Sequence, residues 1–173
     1  MNWRAVSKIF IGSSSESIKV ALNINEYFSG KYECTVWEDH FFELNQSTYD
    51  TLVKRSIAYD YAIFVGGVDD SVIRMGNHKK RKNVRDNIYF EFGLYTGILS
   101  KDRTFFFISD KIEIASDLLG ITLIRYSDNK DILKGCQKIE EKIEKEENIN
   151  RVTLLPSTSL AYNYYNNYFK LLT

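Results

Sequence analysis

The chain has 173 residues, with 23 basic side chains against 23 acidic ones, and aromatic residues make up 14% of it. That length suits one domain with a sizeable core and a short appendage. The many aromatics and the single proline exclude a disordered chain, and the balanced charge gives no global reason to bind nucleic acid or an acidic membrane.

Met1-Asn2-Trp3-Arg4 runs straight towards a strand and shows no secretory pattern. Lys8-Ile9-Phe10-Ile11 is a short apolar strand that ends at Gly12-Ser13-Ser14-Ser15-Glu16. Residues 16–29 carry Val20, Ala21, Ile24 and Phe28 at helical spacing, which predicts an amphipathic helix stopped at Gly30. Tyr32 to Trp37 is a second strand, and Glu38 to Gln46 is a loop rich in acids and aromatics. Ser47 can cap a helix carrying Leu52, Val53 and Ile57. Tyr61 to Val65 is a third strand, and its nearly unbroken apolar character fits a buried parallel sheet. A long polar connection, Gly66 to Val84, follows.

The stretch Arg85 to Gly97 reads as the opening of a helix, with Asp86 or Asn87 available to cap its free N–H groups. Ile88, Phe92 and Tyr95 fall at i, i+4 and i+7 and form an inward face. Gly93 and Gly97 leave one stripe bare. Each costs a helix near ~1 kcal/mol, which close packing against a neighbouring element would offset. Among these apolar residues stands one carboxylate, Glu91, about a turn from the helix start. Thr104 to Ile108 and Ile121 to Arg125 are the fourth and fifth strands, separated by Ser109 to Gly120. Ile132 to Glu147 is a charged final helix with Ile139 and Ile143 inward.

Strand and helix alternate five times, which implies an α/β fold with a five-stranded parallel sheet and helices on both faces. No apolar run approaches the roughly 20 residues of a membrane span. Cys34 and Cys136 sit far apart in ordinary strand and helix patterns, which fits a reduced, cytoplasmic setting. His40 and His78 share no ligand spacing with them, so no metal is expected. After residue 148 the pattern changes. Leu160, Tyr164 and Tyr168 would form an aromatic stripe on a terminal helix, the first of something larger or an interface arm. The expected organisation is a domain over 1–148 and a linker with one helix over 149–173.

In sheets of this kind ligands bind beyond the carboxyl ends of the strands, where strand order reverses. The unusual residues fall there, and each admits a structural reading beside a chemical one. Ser13 and Ser14 offer hydroxyls at a helix N-terminus suited to phosphate, or simply cap a turn. Trp37 can stack on a flat ring, or plug the edge of the core. Asp69-Asp70 can hold a ribose hydroxyl or a metal, or form a turn. Lys79 to Lys82 attracts phosphate or another protomer, or is a solvated loop. Asp117 reads as a ligand or a cap. Glu91, between Phe90 and Phe92, reads as a cleft carboxylate or a partly exposed helix glutamate.

Together these residues resemble the TIR family, in the bacterial branch found in cyclic-oligonucleotide defence systems. The resembling pieces are Phe10 to Glu16, Trp37-Glu38-Asp39, Asp60 to Val65 with Asp69-Asp70, Arg85-Asp86-Asn87 through Glu91 to Leu94, and Ser116-Asp117-Leu118-Leu119-Gly120-Ile121. They span about residues 7–127. Gly67-Val68 departs from the Thr-Pro pair that the branch often carries before Asp69. Leu155 to Ala161 and Tyr164 to Tyr168 are similar to the start of a STING cyclic-dinucleotide-binding domain, with Tyr168 matching a base-stacking tyrosine. The chain therefore resembles a TIR-STING fusion broken off at the first STING helix.

The resemblance implies a flavodoxin-like TIR fold and hydrolysis of NAD+ as substrate, with no separate cofactor. Glu91 would be catalytic. Ser13, Ser14, Trp37, Asp70, Asn87 and Asp117 would bind substrate. It also implies self-association through TIR domains, and activation by cyclic di-GMP or a related cyclic dinucleotide through the STING domain. The alternatives are a non-catalytic TIR–TIR interaction module and a nucleoside or nucleotide glycosylase of similar fold.

Overall fold

The computed structural model of the protein describes residues 6–38, 48–67, 86–112 and 122–150. Strands β1 (Lys8–Ser13), β2 (Glu33–Glu38), β3 (Tyr61–Gly66), β4 (Thr104–Ser109) and β5 (Thr122–Tyr126) form one parallel sheet. The helices are α1 (Ile18–Phe28), α2 (Thr48–Ser56), α3 (Asp86–Leu99) and α4 (Asn129–Asn150), with a 3-10 turn at Ser15–Ser17 leading into α1. The chain divides into two compact units, residues 1–137 and 138–173. The sheet and α1 to α3 belong to the first. In the second, α4 continues from Lys138, with Ile139 and Ile143 buried.

The strand order β2-β1-β3-β4-β5 is the flavodoxin-like order, which reverses direction between β1 and β3. Right-handed crossovers put helices on opposite faces when the winding direction changes. Helix α1, leading from β1 to β2, therefore covers one face. Helices α2 and α3, leading the other way, cover the second and touch one another. The central strands β3 and β4 are buried almost end to end, which is why their sequences are unbroken apolar runs. The edge strand β5 is only partly covered.

Beneath α3 the core is aromatic. Ile88, Phe92 and Tyr95, the expected inward face, pack on Phe10, Ala62, Phe64, Phe106 and Ile108. The Phe92 ring stacks on Phe106 at 4.8 Å, and Tyr95 stacks on Phe10 at 4.6 Å. Such pairs add about 0.5–1.5 kcal/mol beyond their buried area. Gly12 lies under these rings. A Cβ there would stand 2.8 Å from the Phe64 ring and 2.9 Å from Phe10.

Two expectations are corrected. Gly93 and Gly97 do not pack closely against a neighbour. Both are exposed, and a Cβ at either would meet nothing within 4 Å. With Ile88, Phe92 and Tyr95 turned to the sheet, helical geometry turns positions 90, 93 and 97 outwards. Ile57 is not on α2, which ends at Ser56; it is 71% exposed. Over residues 52–56 of that helix Leu52 and Ser56 are buried, and the Ser56 hydroxyl donates to the Val53 carbonyl at 2.8 Å.

Candidate active site

The sequence-predicted residues that the structure describes are Ser13, Ser14, Trp37, Asn87 and Glu91. Asp70 and Asp117 lie outside the described residues, as do Lys79 to Lys82, both histidines and Tyr168. Ser13 closes β1 and Ser14 precedes the 3-10 turn, so both stand at the carboxyl edge beside the reversal in strand order. They are 1% and 3% exposed. Ser13 Oγ has no hydrogen-bond partner among the described residues, and Ser14 makes no side-chain cap bond. The Ser14 carbonyl instead accepts from the Ser17 N–H at 3.0 Å.

Glu91 sits on α3 one turn after Asn87 and one turn before Tyr95. It is only 5% exposed, and it is the one carboxylate in the buried class among the described residues. Asn87, in the first turn, is exposed. Glu91 thus lies on the sheet-facing side of a helix whose first turn opens at the ligand-binding edge.

Tyr95 is fully buried. Burial pushes its phenol well above the usual tyrosine range; Tyr59 and Glu91 push the same way, and Arg55 opposes them. Three groups from different elements thus act electrostatically on this phenol. Arg55, in the last turn of α2, lays its guanidinium over the Trp37 ring at 4.0 Å from the centroid. Trp37, next to last in β2, is half-buried against the cluster beneath α3. Tyr59, just past α2, meets Phe10 edge-on at 5.3 Å. Trp37, Arg55, Tyr59, Tyr95 and Glu91 thus gather on the face covered by α2 and α3.

Arg55 and Tyr59 went unrecognised in the sequence, where neither stands in a motif. The available signal was a basic residue closing a helix between an aromatic-ended strand and the next strand. The spacing of Tyr95 marks its ring as core, and nothing in the sequence singles out its hydroxyl.

On the other face, the Tyr126 hydroxyl reaches from β5 past β4 and donates to the Gly66 carbonyl at 3.4 Å. Burial raises this phenol, and Ser17 opposes the shift. A Cβ at Gly67 would displace the Ser17 hydroxyl from its present position. No group of three or more His, Cys, Asp or Glu side chains is placed to hold a metal among the described residues. None of the described helices is long and apolar enough to cross a membrane.

A buried single carboxylate among aromatic rings suits stabilisation of positive charge that develops in a reaction. Paired-carboxylate glycoside hydrolysis would need a second acid at a defined separation.

Comparison with known proteins gives the family. Residues 8–128 match the pattern of the family described as CAP12/Pycsar effector protein, TIR domain. A CD-NTase-associated protein 12 from Lachnospiraceae bacterium (strain RUG226) is 35% identical over 175 residues, covering 95% of this chain and 55% of that protein. The protein of the same name from Flavobacterium daejeonense is 34% identical, covering 95% of this chain and 54% of its own. The Pycsar effector protein PaPycTIR from Pseudomonas aeruginosa is 32% identical over 123 residues, covering 69% of this chain and 39% of its own. The chain thus spans about half the length of the CD-NTase-associated relatives it matches. Among solved structures, a diflavin flavoprotein A3 from Nostoc sp. superposes with a TM-score of 0.50 at 14% identity, covering 86% of this chain and 98% of that one, a likeness of fold alone.

Proposed function

The chain belongs to the TIR-domain family of CAP12/Pycsar effectors, and from that premise we propose that it is an NAD+ glycohydrolase of antiphage defence with Glu91 as its catalytic residue. The observation that carries this reading is the 5% exposure of Glu91 on the sheet-facing side of α3. In NAD+ the nicotinamide is already cationic. Cleavage of its bond to ribose sends the bonding electrons to the leaving ring, which departs neutral and needs no general acid. Positive charge develops on the ribose; water adds there, losing a proton to solvent, to give ADP-ribose, or a nucleophile within the ADP-ribose adds in place of water to give a cyclic form. A fixed anion beside the ribose stabilises that transition state, and it does so most strongly where water is excluded.

Ser13 and Ser14 would meet the pyrophosphate with the N–H groups that open the first helix. The flat Trp37–Arg55 pair would form an aromatic and cationic wall for the substrate. Asn87, Asp70 and Asp117 would orient riboses or the nicotinamide amide. Activation would come from assembly, driven by a cyclic dinucleotide bound to a STING domain, a role consistent with relatives about twice as long as this chain.

Glu91→Gln tests the chemistry. It keeps the side chain's shape, so the fold should persist while nicotinamide release from NAD+ falls by at least 100-fold, as when a key electrostatic group is removed. Full turnover in that variant removes Glu91 from the mechanism.

A second reading, an interaction module without catalysis, is favoured by the outer surface of α3. Phe90 and Ile98 are 55% and 39% exposed there, beside the bare positions Gly93 and Gly97. The same nicotinamide assay separates the two readings, and free nucleosides in place of NAD+ expose a glycosylase of other specificity.

A further inference from the structure

The hydroxyl of Tyr95 does nothing for the core that its ring does not already do. The ring stacks on Phe10 at 4.6 Å and meets Phe64 edge-on at 5.3 Å, contacts a phenylalanine would make as well. The hydroxyl oxygen is buried and has no hydrogen-bond partner among the described residues. A buried polar atom left in this condition lowers stability, and in a native structure it calls for a specific reason, a catalytic role among them. Glu91, itself buried, stands one turn earlier on the same helix, the spacing at which helix side chains neighbour one another, and Arg55, Tyr59 and Glu91 all act electrostatically on this phenol.

We propose that Tyr95 is a positioning residue for Glu91: its hydroxyl is the donor that fixes the carboxylate when a cationic substrate occupies the site. The proposal rests on the reading of Glu91 as the catalytic anion. A phenol kept protonated can donate a hydrogen bond but cannot take one proton's place as a base, so Tyr95 serves the carboxylate without competing with it. Hydrogen bonds of this kind are often unformed without substrate and tighten in the loaded complex. Arg55, seated over Trp37, supplies a positive charge on the same face of the sheet.

The test is Tyr95→Phe in the 173-residue chain, compared with wild type and with Glu91→Gln. Nicotinamide release is measured at a protein concentration where wild type is active. Alongside it, the Glu91 carboxyl is titrated by carbon NMR, its resonance assigned by its loss in Glu91→Gln. The expected result has three parts. The kcat falls about 10- to 100-fold, as for a small misplacement of a reacting group, with little change in KM. The melting temperature holds or rises, because an unsatisfied hydroxyl has gone. The Glu91 titration moves to higher pH, because a donor to its ionised form has been lost.

Wild-type kcat and titration in Tyr95→Phe overturn the proposal even if Glu91→Gln is dead. A loss of kcat matched by a lower melting temperature assigns Tyr95 to the core alone, and also overturns it. If wild type releases no nicotinamide, the glycohydrolase reading fails, and the titration still decides whether Tyr95 governs the carboxylate.

Discussion

At the scale of single residues, two positions report how tightly the site is built. Gly12→Ala puts a methyl group 2.8 Å from the Phe64 ring, in a cluster that includes Phe92 and Tyr95. Overpacking of this kind costs about 1–3 kcal/mol. The expected outcome is a lower urea midpoint, with nicotinamide release impaired because α3 rides on those rings. Cys34 reports on burial. Its thiol is pushed up from 9.0 to about 11 by desolvation, so the fold favours the neutral thiol. The stability this contributes is full below pH 9.0 and is lost as pH rises towards about 11, because the unfolded chain ionises first. Tyr95, raised mainly by burial, acts in the same direction above its ordinary 10.0. The urea midpoint should therefore decline across that alkaline window. Cys34→Ser should flatten the decline in its lower half.

Elements were legible where one spacing carried one meaning. The Ile88-Phe92-Tyr95 stripe had a single burial solution, and the structure adopts it. Glycine spacing had two. A stripe without side chains serves a close helix contact or a bare surface equally well, and only the direction set by the neighbouring apolar residues decides between them. Arg55 was illegible because the reach of a side chain from one helix to the preceding strand leaves no period in the sequence. Caps were clearer in the structure than in the pattern. Helix α4 opens on Asp128, whose carboxylate accepts from the Asp131 N–H at 2.9 Å, and the Asp131 carboxylate accepts from the Ser127 hydroxyl at 2.7 Å. Those bonds from Ser127 hold the Asp131 carboxyl below its usual range. Replacing Asp128 by alanine should destabilise the chain by about 1 kcal/mol, read as a lower thermal midpoint with the nicotinamide assay little changed.

For the whole molecule, the parallel sheet was evident from alternation, because buried strands and amphipathic helices have different periods. The order of the strands was not evident from alternation and came only with the resemblance, which implied the flavodoxin-like order the sheet adopts. It follows from crossover handedness and packing, which bring Ser13, Trp37 and Glu91 towards one region from three separate stretches. Activity that depends on assembly makes a further prediction. Nicotinamide released per protein molecule should rise with concentration, and Phe90→Ser should blunt that rise while leaving the melting temperature in place. A specific rate independent of dilution contradicts assembly control.

Residues 90 and 91 are consecutive, so one helical step of about 100° separates the exposed ring of Phe90 from the buried carboxylate of Glu91. A rod that stiff cannot be rolled at its outer surface without swinging its inner one. Pressure applied by a neighbour at Phe90 would thus reach the acid as rotation of a single lever, with no relay of intervening residues.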